Sequence, residues 1–189
     1  MTGKKNINIK NPTDFQRWED CTDTWGEKNP LRSQITAKFI ANGSSVLDIG
    51  AGSMVLRKYL QPNCRYQPCD LYSRCDGCLV ADLNNKEFPE GKYDWVVMLG
   101  TFQFLKDPAW AVAQCRKVAK YAAFSYSPTI NEVPPSKEIK WWEGEGWINH
   151  FNRNQYFEII RNSGWNIIKV FRIPCNYLVI CQSGGKNEK

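Results

Sequence analysis

The chain has 189 residues, 42% of them hydrophobic, and 25 Lys and Arg against 19 Asp and Glu give it a formal net charge of +6. That length suits one domain with a substantial apolar core, and no run approaches the ~18 apolar residues that a membrane-spanning helix needs. The basic residues are scattered rather than gathered into a block, which argues against nucleic acid as the partner.

Residues Met1 to Lys10 are polar and include Lys4, Lys5 and Lys10, so they read as neither a signal peptide nor a membrane anchor. A cytoplasmic location is expected, with residues 1–12 and 184–189 as flexible ends of a single domain spanning 1–189. Trp18 and Trp25 stand at the seven-residue spacing of a packed helix face. Leu31, Ile35, Ala37, Phe39 and Ile40 predict a helix over Leu31 to Ala41 that ends at Asn42-Gly43.

The next stretch, Ser45-Val46-Leu47-Asp48-Ile49-Gly50-Ala51-Gly52-Ser53, is an apolar strand with an acid running into Gly-x-Gly. Glycines let the backbone turn sharply and approach a ligand, and a following helix would present free N–H groups. The acid discriminates between ligands: a carboxylate here is a poor neighbour for a pyrophosphate and a good one for a cationic group. Asp70 closes the run Tyr66-Gln67-Pro68-Cys69 about 20 residues after the glycines, where a carboxylate can accept two hydrogen bonds from vicinal ribose hydroxyls. Leu79 to Asn84 predicts a third strand ending near Asp82, and Lys92 to Gly100 a fourth.

Eight cysteines invite a metal reading, and Cys75-Asp76-Gly77-Cys78 has the spacing of half a zinc site. The predicted second strand holds Cys64 and Cys69 apart, so reduced thiols without metal are expected; Cys21, Cys115, Cys175 and Cys181 read as packing residues. Asp107 can cap a helix that has Pro108 in its first turn and Val112, Cys115 and Val118 along one face. Tyr121 to Tyr126 predicts a fifth strand, and Asn152 caps a helix from Arg153 to Ser163 whose Tyr156, Phe157 and Ile160 face inward, with Gly164 as its stop. Trp165 to Ile173 and Asn176 to Cys181, joined by Pro174-Cys175, form a terminal hairpin.

In order and spacing these pieces resemble the class I S-adenosylmethionine-dependent methyltransferases, over roughly residues 31–183. Val46 to Ser53 is similar to the glycine-rich first motif, Asp70 to the ribose-binding acid, Ala81-Asp82-Leu83 to the adenine-flanking segment, and Tyr93 to Pro108 to the fourth strand and its loop. The resemblance implies an α/β, Rossmann-like single domain with a seven-stranded, mostly parallel sheet, helices on both faces and strand order 3-2-1-4-5-7-6. It also implies S-adenosyl-L-methionine as cofactor, held by Asp48, Gly50, Gly52, Ser53, Asp70, Leu71, Asp82, Leu83, Leu99 and Gly100. The sequence departs from the family at Ser53-Met54, where many members have a third glycine or another small pair. It departs again at Gln103, where many have a glutamate followed by histidine.

The acceptor is less constrained. Residues 128–151 are too long for a plain connection and carry Trp141, Trp142 and Trp147 beside His150, the only histidine. They can form a lid whose tryptophans stack on a sugar or planar ligand, with His150 as general base, or they can simply pack against the sheet. The amino-terminal stretch Phe15 to Gly26 is a second segment that closes over the site in many relatives. No Asp/Asn-Pro-Pro-aromatic motif or cysteine follows the fourth strand, which argues against DNA amino or cytosine-carbon methylation. The expectation is a metal-independent methyltransferase for a small-molecule or glycan-precursor acceptor. A cofactor-binding partner protein without turnover and an RNA methyltransferase are the alternatives, and the oligomeric state is open.

Overall fold

The computed structural model describes residues 18–19, 30–129 and 136–184. The terminal residues 1–12 and 185–189, Cys21 and Trp25 lie outside the described residues. The strands are β1 (Ser45–Ile49), β2 (Arg65–Asp70), β3 (Leu79–Val80), β4 (Tyr93–Leu99), β5 (Ala119–Tyr126), β6 (Trp165–Ile173) and β7 (Asn176–Ser183). They form one sheet of order β3-β2-β1-β4-β5-β7-β6, parallel except for β7, which is antiparallel to both β5 and β6. Order and reversal agree with the expectation. The antiparallel end follows from local chemistry, because the two-residue Pro174-Cys175 link between β6 and β7 is too short for a parallel crossover.

Helix α1 (Leu31–Ala37) packs on one face, where Ala37 and Ile40 meet Val46, Val97, Ala123, Leu178 and Ile180. Helices α2 (Pro108–Val118) and α4 (Arg153–Asn162) cover the other, around Leu47, Met98, Phe124, Tyr156 and Trp165. Alternation along each strand sorts these side chains: Phe124 and Tyr126 go to one face, Ala123 to the other. Asp107 caps α2 by accepting from the Trp110 N–H at 3.0 Å. Asn152 caps α4 in a reciprocal pair with Gln155. Helix α3 (Ser136–Gly144) lies in the long connection between β5 and α4.

Three local expectations are corrected. The first helix ends at Ala37, and Lys38, Phe39 and Ile40 tighten into i→i+3 bonds ahead of Asn42-Gly43. Beyond the glycine-rich loop stands a five-residue 3-10 turn, Val55–Tyr59, rather than a helix. Only a short chain separates Gly52 from β2, and Pro62 forbids helical continuation within it. The alternation of strand and helix is therefore incomplete: among the described residues, no α-helix occurs between β1 and β4. Gly184, expected in a flexible tail, is tied down, its N–H bonded to the Gly164 carbonyl and its own carbonyl to Arg116. No helix among the described residues is long and apolar enough to cross a membrane.

Candidate functional site

The sheet order reverses between β1 and β4, and the carboxyl ends of these strands flank a crevice lined by Arg32, Asp48, Gly50, Ala51, Val55 and Leu99. Gly50 leaves β1 at φ +69, and its N–H and that of Ala51 both donate to the Cys69 carbonyl. A Cβ on Gly50 would lie 2.1 Å from the Thr101 hydroxyl oxygen, which itself bonds the Ile49 carbonyl at 3.2 Å. Gly100 serves the opposite wall: at φ +81, a Cβ there would lie 2.5 Å from a guanidinium nitrogen of Arg32. The backbone at Gly50 favours glycine for conformation and for space, and that at Gly100 for conformation, with a Cβ there displacing the Arg32 guanidinium.

The acids behave differently from one another. Asp48, 4% exposed, accepts from the Tyr66 hydroxyl at 2.6 Å. Burial and the adjacent carboxylate hold the Tyr66 phenol far above its ordinary pKa, so it remains a donor. The Asp70 carboxylate accepts from the Gly52 N–H at 2.8 Å and the Leu71 N–H at 2.7 Å, bracing the glycine loop directly. A carboxylate has about four lone-pair positions, so two remain for a ligand diol. Ser53 lies in the turn between Gly52 and Met54. Asp82 spends one oxygen capping the 3-10 turn Leu83–Asn85 through the Asn84 N–H, and Leu83 packs against the core. These two residues stand beyond β3, away from the residues that line the crevice between β1 and β4.

The family's third small position has an unexpected solution. Met54 adopts a left-handed conformation, φ 55 and ψ 40, unusual for a residue with a side chain. Its Sδ lies 3.5 Å from the Cys75 Sγ. Cys69, Cys115 and Cys181 are buried thiols, and burial pushes the first up to about 12. Among the described residues no three His, Cys, Asp or Glu side chains converge as a metal site.

In the connection between β5 and α4, Trp142 stacks on Trp147 (centroids 5.6 Å apart, 3° between planes) and on His150 (5.5 Å, 24°), while Trp141 is 57% exposed. Part of the tryptophan surface is thus used in packing. The segment is pinned to the turn after β4: Ile148 N–H donates to the Gln103 carbonyl, and the Asn149 amide to the carbonyls of Phe102 and Leu105. The Tyr126 hydroxyl joins it by donating to the Asn149 carbonyl and accepting from the Phe151 N–H. Gln103 Oε1, Asn149 Oδ1 and His150 Nδ1 are buried here without a hydrogen-bond partner. From the amino-terminal stretch, Trp18 packs edge-on against Phe104, and the carbonyls of Trp18 and Glu19 accept from Arg74 beyond β2. These two residues therefore link the turn after β4 to the loop after β2.

Arg32, Tyr66 and Thr101 are not singled out by the sequence, which offers Asn149 and Arg153 only as weaker neighbours of His150. For Arg32 a signal existed, since it stands one helical turn before the buried Thr36, whose hydroxyl bonds the Arg32 carbonyl. The anchoring role of Asn149 had no signal, because its side-chain partners lie more than forty residues away in sequence.

This parallel sheet with a reversed seventh strand and a glycine-and-acid crevice defines a Rossmann-like methyltransferase fold. A family model for the methyltransferase domain matches residues 47–124, from within β1 to within β5, including most of the residues that line the crevice. Among solved structures, a SAM-dependent methyltransferase from Aquifex aeolicus is similar at 17% identity and TM-score 0.65, covering 90% of this chain and 99% of that one. A pyocyanin biosynthetic protein is similar at 14% identity and TM-score 0.66, but the chain spans 61% of that protein against 90% of its own length. Magnesium protoporphyrin IX methyltransferase from Synechocystis PCC 6803, solved with bound SAH, gives 15% identity, TM-score 0.60 and coverage of 82% and 81%. No curated protein sequence matches. Residues 47–124 thus match a methyltransferase domain, and the fold is the one found in S-adenosylmethionine-dependent methyltransferases.

Proposed function

We propose that this enzyme methylates a small molecule or glycan precursor in the cytoplasm, with the acceptor held between the crevice and the tryptophan segment. The observation that carries this reading is the group of buried, partnerless atoms Gln103 Oε1, Asn149 Oδ1 and His150 Nδ1 beside a stack of aromatic rings. Two of these are obligate acceptors, so a molecule bringing O–H or N–H groups would satisfy them. The pyocyanin biosynthetic protein and the protoporphyrin methyltransferase, whose named chemistry concerns small molecules, support the same acceptor class.

The residues present fit the cofactor. The Asp70 lone pairs suit a ribose diol, Asp48 suits the cationic amino group, and Arg32 suits a carboxylate at the methionine end. When bound, the cofactor supplies a methyl group already activated by its sulfonium. The chain's own task is alignment, and holding the acceptor in line can contribute several kcal/mol, up to ~7–11 in favourable cases. Gln103 and Asn149 orient the acceptor, Trp142 and Trp147 exclude water beside it, and His150 takes the proton from a hydroxyl through its ring nitrogen.

Calorimetry with S-adenosylhomocysteine, followed by transfer from labelled S-adenosylmethionine into a small-molecule pool and into RNA, tests the proposal. Label entering small molecules, with His150→Ala losing turnover about 100-fold while keeping cofactor affinity, is the expected result. Label entering RNA alone, or unchanged turnover in His150→Ala, refutes the acceptor class or the role of His150 respectively.

A further inference from the structure

We infer that the Cys75-Asp76-Gly77-Cys78 turn is a thiol–disulfide site whose oxidation loosens the cofactor cradle. This rests on the assignment of the cradle to residues 48–54 and Asp70. The Cys78 N–H donates to the Cys75 carbonyl at 3.1 Å, and Gly77 sits at φ +78 in open space. Such a four-residue turn brings its end Cα atoms within about 7 Å, the range a disulfide spans. Both thiols are free and half-buried, within reach of a small oxidant.

The reduced form does structural work. The Cys75 thiol contacts Met54 Sδ at 3.5 Å, and Met54 holds the left-handed conformation that ends the glycine loop. On one side of the turn, Arg74 grips the carbonyls of Trp18 and Glu19. Five residues before Cys75, Asp70 holds Gly52. The Cys78 thiol meanwhile rests on the carbonyls of Tyr72 and Leu79. In the disulfide, Cys75 sulfur has no hydrogen to donate and is drawn toward Cys78. Met54 then loses its partner, and its strained backbone is free to relax out of the shape the loop needs.

The exchange balances with glutathione disulfide as oxidant. One cysteine thiolate attacks a glutathione sulfur and releases one glutathione thiol, and the second thiolate displaces the other, leaving the Cys75–Cys78 bond and two glutathione thiols. Two protons leave the protein, and two electrons pass to the oxidant.

The full chain is equilibrated in glutathione buffers of increasing disulfide content, quenched with N-ethylmaleimide and cut with trypsin. Both cysteines, and no others, fall in the peptide from Cys75 to Lys86. The expected result is an unalkylated peptide lighter than the dithiol by two hydrogens, reversed by dithiothreitol and absent in Cys78→Ser. Calorimetry should show S-adenosylhomocysteine binding about fivefold more weakly to the oxidised chain, the factor that release of one left-handed residue corresponds to. A peptide that stays doubly alkylated, a glutathione adduct in place of the internal bond, or equal affinity in both forms overturns the inference. If the reduced chain does not bind at all, the cradle assignment itself fails, and this inference with it.

Discussion

Replacing Asp70 by Asn separates the two tasks of its carboxylate. In the native protein one oxygen accepts from Gly52 N–H at 2.8 Å and the other from Leu71 N–H at 2.7 Å, with two lone pairs left over. The amide keeps the shape but turns one acceptor into a donor, which then faces a backbone N–H. One charge-assisted hydrogen bond is lost and a donor is left opposed, at about 1–3 kcal/mol to the free protein. A ribose diol loses a comparable interaction, so S-adenosylhomocysteine should bind ~5- to 150-fold more weakly, from roughly 1–3 kcal/mol. Calorimetry gives the affinity, and urea unfolding of the free protein gives the structural share. The 2′,3′-dideoxy analogue of S-adenosylhomocysteine removes the partner hydroxyls, so it should bind the native protein and Asp70→Asn with a much smaller difference between them. Equal losses for both ligands would show that Asp70 acts only through the loop and would refute a ribose contact.

Gly100→Ala should weaken cofactor binding at least tenfold, because its Cβ would lie 2.5 Å from the Arg32 guanidinium in a conformation disfavoured by about 1 kcal/mol or more; calorimetry checks this. Asn149→Leu removes two bonds to the turn after β4 and should cost ~1–3 kcal/mol in urea unfolding, with faster amide exchange at Ile148. The Lys86 ammonium and the Trp110 N–H hold the Asp107 carboxyl below its ordinary pKa. A depressed folded value stabilises above the unfolded pKa of ~3.9 and loses that contribution as pH falls through the folded value. Asp107→Ala should therefore cost roughly 1 kcal/mol at neutral pH, and its deficit should shrink in unfolding measured progressively below pH ~4.

Much of the fold is legible in the chain because it depends on short-range signals. Pro174-Cys175 between two β-rich runs, Asp107-Pro108 at a helix start and Asn152 with Gln155 each act within a few residues. The run from Val46 to Gly52, together with Asp70, likewise marks where β1 and β2 end. The helix expected after the glycine loop follows from the Gly-x-Gly strand end, while Pro62 and a short connection to β2 prevent it here.

What the sequence alone points to is the class of cofactor, since backbone-permissive glycines and two acids stand at strand ends at fixed local spacing. Tertiary structure decided what those residues have left to offer. Pairing of β1 with β2 brings Tyr66 to Asp48, and the loop beyond them brings Gly52 to Asp70, whereas the turn beyond β3 occupies Asp82. Arg32 over Gly100, Asn149 under the turn after β4 and Cys75 against Met54 are contacts between distant segments. No local pattern encodes them, because a side chain's free valence depends on what the folded sheet sets beside it.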